Sequence, residues 1–203
     1  MMLIFPGILL FSVMLAFFLP AIYTGARIAA SESCAEADGY PLDARKRPLL
    51  AALLICGGVF PVWFLTGNIW FVAFVLLLGT AAYIDCITQW VPDLLIFLLS
   101  WVALAGTLPG VPDSQLTYAG AAVMLLPALL LNLITWLRSQ PPALASGDLY
   151  VLPAIGSWLT PQMSGVCLAL SILLTAVVGR FVRGVPFVTV LYPIFVVVFL
   201  CGA

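Results

Sequence analysis

The sequence predicts an all-α membrane protein, a bundle of about eight transmembrane helices. Of its 203 residues, 65% are hydrophobic and only 7% are charged, whereas a typical soluble domain carries about 25% charged residues. The apolar runs are numerous and close together, and many approach the roughly 20 residues that cross a hydrocarbon core about 30 Å thick. We therefore expect residues 1–203 to form one membrane-embedded domain with no soluble part larger than a loop.

Eight apolar segments follow one another along the chain. The first, residues 3–23, lacks a basic n-region and a clear small-residue cleavage site, so we expect it to remain as a helix rather than to be removed as a signal peptide. The polar stretch 24–47 is predicted to be a loop. The other segments are residues 48–65, 69–84, 91–108, 116–137, 149–159, 165–178 and 185–200. Because 149–159 is clearly short, a count of seven crossings stays open.

The basic residues predict how the segments are oriented, since Lys and Arg concentrate in cytoplasmic loops. If the N-terminus is extracytoplasmic and eight segments cross, every basic residue lies on the cytoplasmic side, the loop 24–47 is cytoplasmic and the C-terminus is also extracytoplasmic. Omitting segment 149–159 would separate Arg138 from the last two cations, which favours eight. The seven cations are Arg27, Arg45, Lys46, Arg47, Arg138, Arg180 and Arg183.

Charge and cysteine spacing exclude two classes of function. The net charge is -1 and the cations are scattered rather than gathered in a stripe, so we expect no nucleic-acid partner. None of the five cysteines forms a C-x-x-C pair, which makes a zinc site improbable. We expect no metal and no cofactor.

Two aspartates at the edges of apolar segments are the candidate functional residues. An aspartate at the centre of a membrane helix costs roughly 2.5 to 3.5 kcal/mol, so such groups invite a functional explanation. Asp85 ends the third segment, where the helix dipole disfavours an anion, although a solvated loop residue remains an alternative. Asp148 begins the sixth segment and is an equally plausible N-cap. The predicted topology brings both carboxylates to the cytoplasmic face.

The neighbours of the two aspartates have their own physical interpretations. Gly147 allows the backbone to pass close to a substrate or to adopt positive φ, although it is also compatible with an ordinary helix start. Pro92 and Asp93 form a routine helix start for the fourth segment. We therefore interpret Asp93 as a helix-start residue rather than as a third catalytic acid.

Paired carboxylates suit the hydrolysis of a peptide bond. One carboxylate can take a proton from the attacking water while the other, protonated, hydrogen-bonds the carbonyl oxygen. Mutual repulsion raises the pKa of one of the two carboxyl groups, so the pair shares one proton. Partial desolvation at a membrane edge moves the pH range in which the pair holds this proton towards neutral pH.

These residues resemble a known family. The run Tyr83-Ile84-Asp85, six further residues and then Pro92-Asp93, together with Gly147-Asp148 and the following 152–156 (LPAIG), is similar to the type IV prepilin peptidases, or leader peptidases. These are GxGD-type membrane aspartyl proteases of the bacterial inner membrane.

The resemblance implies a function and roles for these residues. It implies that Asp85 and Asp148 are the catalytic pair, with Gly147, Pro92 and Asp93 as supporting residues. The pair would cut the short basic leader from a prepilin or pseudopilin, a partner with its own membrane helix, at the cytoplasmic face.

The chain departs from the family pattern in three respects. Ala145 replaces the first glycine of G-x-G-D, and Tyr150 stands where a lysine is common. A cytoplasmic domain with two C-x-x-C pairs is not recognisable, since Cys34 stands alone. The resemblance is therefore to a short form, for which we predict peptidase activity without methyltransferase activity.

Two other functions remain open from the residues alone. A proton- or ion-coupled transporter would use the same carboxylates. Such a protein needs polar groups near the membrane midplane, and Asn132 is the sole amide inside the predicted segments. An assembly subunit would use Asp85 and Asp148 only to cap helices.

Overall fold

The computed structural model describes residues 4–33, 46–107, 114–181 and 185–202. Within these ranges the chain forms eight α-helices and no strand. The helices are α1 Ile4–Ser33, α2 Pro48–Thr66, α3 Ile69–Thr88, α4 Asp93–Thr107, α5 Ser114–Leu137, α6 Ser146–Gly156, α7 Pro161–Val178 and α8 Phe187–Gly202. One helix corresponds to each predicted segment, and the all-helical prediction is confirmed for the described residues.

The helix α1 is longer than its apolar segment. It continues past Tyr23 to Ser33, so the first part of the predicted loop 24–47 is helical. Residues 34–45 lie outside the described ranges. The extension has a local cause, because Ala26, Arg27 and two further alanines are good helix formers even where the sequence is no longer apolar enough to suggest a membrane span.

Within the described ranges, five helices are long and apolar enough to cross a membrane. The spans are Phe5–Thr24, Pro48–Thr66, Ile69–Thr88, Gln115–Leu137 and Pro161–Val178, which belong to α1, α2, α3, α5 and α7. Helices α4 and α8 are apolar but shorter. Helix α6 has 11 residues and is therefore about 16 Å long, well short of a hydrocarbon core of about 30 Å. The chain is a multi-pass membrane protein.

Helix α3 is the centre of the bundle. It packs against α2, α4 and α8, and a helix that is apolar on all sides, as α3 is, is expected to be buried. At one end of the bundle, aromatic rings from α3 and α8 pack with Trp158, which lies in the turn after α6, and the rings of Phe71 and Phe199 are stacked at 3.9 Å between centroids. Helices α1 and α5 instead expose large apolar side chains such as Leu10 and Leu126, as expected for surfaces that face lipid.

The turn between α3 and α4 fixes the position of Asp85. Gln89 adopts a left-handed conformation with φ 54° and donates its backbone N–H to the carbonyl of Asp85 at 2.8 Å, which ends α3 one turn after that residue. The carbonyl of Pro92 then accepts the N–H groups of Leu95 and Ile96, so α4 begins at Asp93. The interpretation of Asp93 as a helix start is confirmed.

The segment before α6 is held by a side chain of α5. The Nδ2 group of Asn132 donates to the carbonyl of Leu144 at 2.8 Å, and the N–H of Leu144 donates to Oδ1 of Asn132 at 2.9 Å. Helix α6 begins immediately afterwards and crosses α5 where Gly120 and Gly156 meet. A methyl group on either glycine would collide with the backbone of the other helix, so this close approach requires both glycines.

Candidate active site

Asp85 and Asp148 line the same cavity at one end of the bundle. The cavity has a volume of about 260 Å³ and lies where α3 ends and where α4, α6 and α8 begin. The topology therefore brings together two aspartates that lie far apart in sequence. The lining residues are Asp85, Gln89, Trp90, Val91, Asp93, Ala145, Ser146, Gly147, Asp148, Val185, Pro186 and Phe187.

Asp85 is buried, with 5% of its surface exposed, and it is bound by the first turn of α8. Its Oδ2 atom accepts the backbone N–H of Thr189 at 3.1 Å and lies 3.4 Å from the Thr189 hydroxyl. The backbone N–H of Val188 also donates to this carboxylate. The first N–H groups of a helix have no partner within the helix and carry its positive dipole end. The start of α8 therefore offsets the unfavourable dipole of α3 at Asp85.

The sequence did not predict the contribution of Thr189. This residue follows Asp85 by 104 positions, and its apolar surroundings give no sign of a polar partner. The available signal is Pro186 at the beginning of the last apolar segment, because a proline there marks a helix start. Nothing in the linear sequence indicates that this start would meet the end of α3.

Asp148 occupies the third position of α6 rather than the N-cap position, which corrects the N-cap interpretation. The N-cap residue is Ala145, whose side chain cannot cap the helix, and the Asp148 carboxylate accepts the backbone N–H of Ala145 instead. This contact is one half of a capping box. Asp148 lies in the short helix α6, outside the five membrane spans. Its burial, and then the negative charge of Asp85, raise the pKa of Asp148 to about 7.

The backbone around Asp148 does not require the small residues that precede it. Gly147 does not have positive φ, so that reason for the glycine is wrong. A methyl group at Gly147 would meet only Cδ1 of Ile96, at 3.8 Å, which is an ordinary contact. Ala145 has φ −64° and ψ 153°, an extended conformation that any residue adopts. Alanine at this position is therefore not strained.

Asp93 forms one edge of the cavity, whereas its neighbour Pro92 is not among the lining residues. Asp93 is exposed and stands in the first turn of α4, where the helix dipole favours a carboxylate. Among the described residues, no three His, Cys, Asp or Glu side chains are grouped closely enough to hold a metal ion. Cys34 lies outside these residues.

The aspartate end of the bundle is also the basic end. Arg47 immediately precedes α2, which packs antiparallel to α3 through a short connection, so Arg47 lies at the end of the bundle where α3 finishes. Lys46 precedes Arg47, and its ammonium group lies over the ring of Phe17. Arg138 follows α5 in the segment that returns to α6, and Arg180 follows α7 shortly before the cavity residues of α8. These are the four basic residues whose side chains the structure describes.

Comparison with known proteins identifies the family of the chain. Residues 71–180, a little over half of the chain, match the model of the type IV leader peptidase family. No curated protein and no solved structure matches the chain. The matched region contains Asp85, Asp93 and Asp148, whereas Thr189 lies beyond it. The chain belongs to the type IV leader peptidase family.

Proposed function

We propose that the chain is an aspartic endopeptidase that removes the leader peptide of type IV prepilin or pseudopilin precursors at the cytoplasmic face of a bacterial inner membrane. The observation that carries this proposal is the shared cavity of Asp85 and Asp148 in a chain of the leader peptidase family. Asp85 is held by helix α8 and Asp148 by the start of α6, so the fold places each carboxyl group on a rigid element.

The electrostatics of the cavity support the chemistry of an aspartyl pair. The charge of Asp85 acts on Asp148, whose pKa is about 7, so near neutral pH the pair can hold one proton between its two carboxyl groups. The carboxylate takes a proton from water as the water attacks the peptide carbonyl, and the carboxylic acid donates its proton to the carbonyl oxygen. This division of roles requires neither a covalent intermediate nor a metal.

The distribution of charge supports the proposed membrane face. The four basic residues with described side chains lie at the aspartate end, and the positive-inside rule places such an end in the cytoplasm. A prepilin whose helix lies in the membrane would present the start of that helix, and the leader before it, at the level of the aspartate cavity. Eight crossings with both termini outside would give the same orientation.

Membership of a peptidase family argues against the transporter alternative. In addition, the amide of Asn132, the polar group of α5 available to a transporter, has both its nitrogen and its oxygen bonded to the backbone of Leu144.

Co-expression with a prepilin in cells that lack their own leader peptidase tests the proposal. We expect the wild-type chain to shorten the prepilin, and we expect Asp85→Asn and Asp148→Asn each to reduce cleavage by at least about a thousandfold, because a single carboxyl group cannot supply both proton transfers.

Asp93→Asn is the matched control, since it makes the same chemical change at the edge of the same cavity. We expect this variant to retain cleavage and to lose only the favourable interaction with the dipole of α4, about 0.3 to 1 kcal/mol of stability. Cleavage retained in Asp85→Asn or in Asp148→Asn would show that the two residues are not a catalytic pair. Function intact in both variants would instead favour an assembly subunit whose acids only cap helices.

A further inference from the structure

We propose that the first turn of α8 assigns the roles within the pair, with Thr189 as the positioning residue that keeps Asp85 the water-activating carboxylate and leaves the proton on Asp148. The inference deepens the proposed peptidase function and rests on it. It concerns a helix that lies beyond the region matched by the family model.

The groups around the Asp85 carboxylate are hydrogen-bond donors. Two are backbone N–H groups, and the third is a hydroxyl whose orientation is fixed by another hydrogen bond. Two backbone N–H groups, of Val188 and Thr189, point at the carboxylate, the second at 3.1 Å. The Thr189 hydroxyl donates to the carbonyl of Ala82 at 2.7 Å, which fixes the side chain and ties α8 to α3 beside the 3.4 Å contact with Oδ2 of Asp85. A backbone N–H donates to a carboxylate but cannot accept a hydrogen bond from the O–H of a protonated acid. These donors therefore favour the charged form of Asp85.

The surroundings of Asp148 differ in the way that the proposal requires. Asp148 accepts one N–H, that of Ala145, and it faces the charge of Asp85. The ionisable groups on the elements around Asp85 include Asp93 at the start of α4, Cys86 and Tyr83 on α3, and Arg47 before α2, whose charge acts on both Cys86 and Tyr83. Helix α8 approaches with uncharged donors. The single proton of the pair is therefore more stable on Asp148.

The resulting reaction balances. Asp85 removes a proton from water as the water oxygen bonds to the carbonyl carbon, and Asp148 gives its proton to the carbonyl oxygen, which yields a tetrahedral diol. Asp85 then donates its new proton to the amide nitrogen as the carbon–nitrogen bond breaks. Asp148 recovers a proton from one hydroxyl of the diol. The products are the leader with a carboxyl end and the mature chain with a free amine, and both aspartates return to their starting forms.

The test is a steady-state comparison of purified variants in lipid nanodiscs, with a prepilin as substrate. We expect Thr189→Val to lower kcat about tenfold with KM within about twofold. The variant keeps the backbone N–H groups but loses the hydroxyl that ties the start of α8 to α3 and that lies beside the Asp85 carboxylate, so Asp85 is held less well while substrate contacts remain. We also expect the acid side of its pH–rate profile to move to higher pH, since Asp85 then loses its charge more readily. Thr189→Ser, which keeps the hydroxyl, is expected to recover most of kcat and the wild-type profile.

Tyr192→Phe is the matched control. It removes a hydroxyl from the same helix, one that donates to the carbonyl of Leu54 at 3.0 Å and so ties α8 to α2 without touching Asp85. We expect this variant to keep the wild-type kcat and pH profile. If valine destabilises the protein more than this control does, Thr189→Ala gives the same comparison without added bulk.

The outcomes separate the two proposals. Cleavage by the wild type and its loss in Asp85→Asn and Asp148→Asn, measured in the same assay, support the peptidase function whatever Thr189 does. A Thr189→Val or Thr189→Ala variant with the kcat and pH profile of the wild type would then overturn the positioning role alone. A loss of kcat with an unshifted profile, shared by Tyr192→Phe, would also overturn it, because it would indicate only weakened packing of α8.

Discussion

At the scale of single residues, the two carboxyl groups of the cavity have different environments. Asp85 is buried and receives N–H donors from another helix, whereas Asp148 is half-buried and receives one N–H from the residue that precedes its own helix. Two identical acids therefore favour different protonation states. This asymmetry is what an acid and base pair requires.

The raised pKa of Asp148 predicts how cleavage depends on pH. An acid with a pKa of about 7 is protonated below that pH and ionised above it, so the pair loses its one proton as the pH rises through neutrality. We expect kcat to fall about tenfold per pH unit on the alkaline side. The measurement is kcat against pH for the purified enzyme, with Asp93→Asn as the control that keeps the same alkaline limb. A rate that stays constant well above neutral pH would contradict the role of Asp148 as the acid.

Gly147 gives a second prediction at this scale. Its backbone does not need a glycine, and a methyl group there would meet only Ile96, so we expect Gly147→Ala to leave the free energy of unfolding unchanged or to raise it by about 0.5 to 1 kcal/mol. Because the methyl group would lie beside the cavity of Asp85 and Asp148, the proposed active site, we expect kcat/KM to fall about tenfold.

The control for this prediction is Gly57→Ala, a helical glycine with no atom within 4 Å of the added methyl group. It is expected to gain a similar amount of stability, because it also replaces a helical glycine, and to leave cleavage unchanged. If Gly147→Ala cleaves as well as the wild type, the open space at Gly147 is not used by the substrate.

At the scale of elements, the site depends on how helix ends are joined. Helix α3 ends in a left-handed residue, and α6 begins after a residue that cannot cap it with its side chain. Helix α5 holds the segment just before α6 through Asn132. Each junction places one side of the cavity. Because Asp85 and Asp148, the proposed catalytic pair, lie within a turn of these junctions, small changes there are expected to alter activity more than changes in the middle of the helices.

Asn132 provides the prediction that belongs to this scale. Asn132→Leu would leave both the N–H and the carbonyl of Leu144 without their partners, and we expect the free energy of unfolding to fall by about 1 to 3 kcal/mol. We also expect kcat to fall, because the segment that leads to Asp148 loses its attachment to α5. Denaturant unfolding in detergent and a cleavage assay measure the two effects. Thr135→Val is the control, since its hydroxyl bonds only to the carbonyl of Asn132 within the same helix at 2.9 Å. Equal losses in both variants would contradict the role of the side chain of Asn132.

At the scale of the whole molecule, hydropathy predicted the number and order of the helices but not their contacts. The apolar segments and the Pro92-Asp93 helix start follow from local composition, and they are confirmed. The hydrogen bond between Thr189 and Asp85 depends on the tertiary fold, because a backbone N–H is present in nearly every residue and gives no sequence signal. The role of Asn132 was not predicted for the same reason, because its partners are also backbone groups.

The orientation of the bundle in the membrane is the last prediction. Gln140, in the segment after Arg138, lies at the aspartate end, and Gln162, in the first turn of α7, lies at the opposite end. Both side chains are exposed, so Gln140→Cys and Gln162→Cys form a matched pair in a variant whose native cysteines are replaced. Because basic residues favour the cytoplasmic side, we expect a membrane-impermeant maleimide to label Gln162→Cys in intact cells and Gln140→Cys only after the inner membrane is permeabilised. Retained prepilin cleavage shows that each variant is folded. Labelling of Gln140→Cys from outside would place the two aspartates at the wrong face for a leader that has not left the cytoplasm.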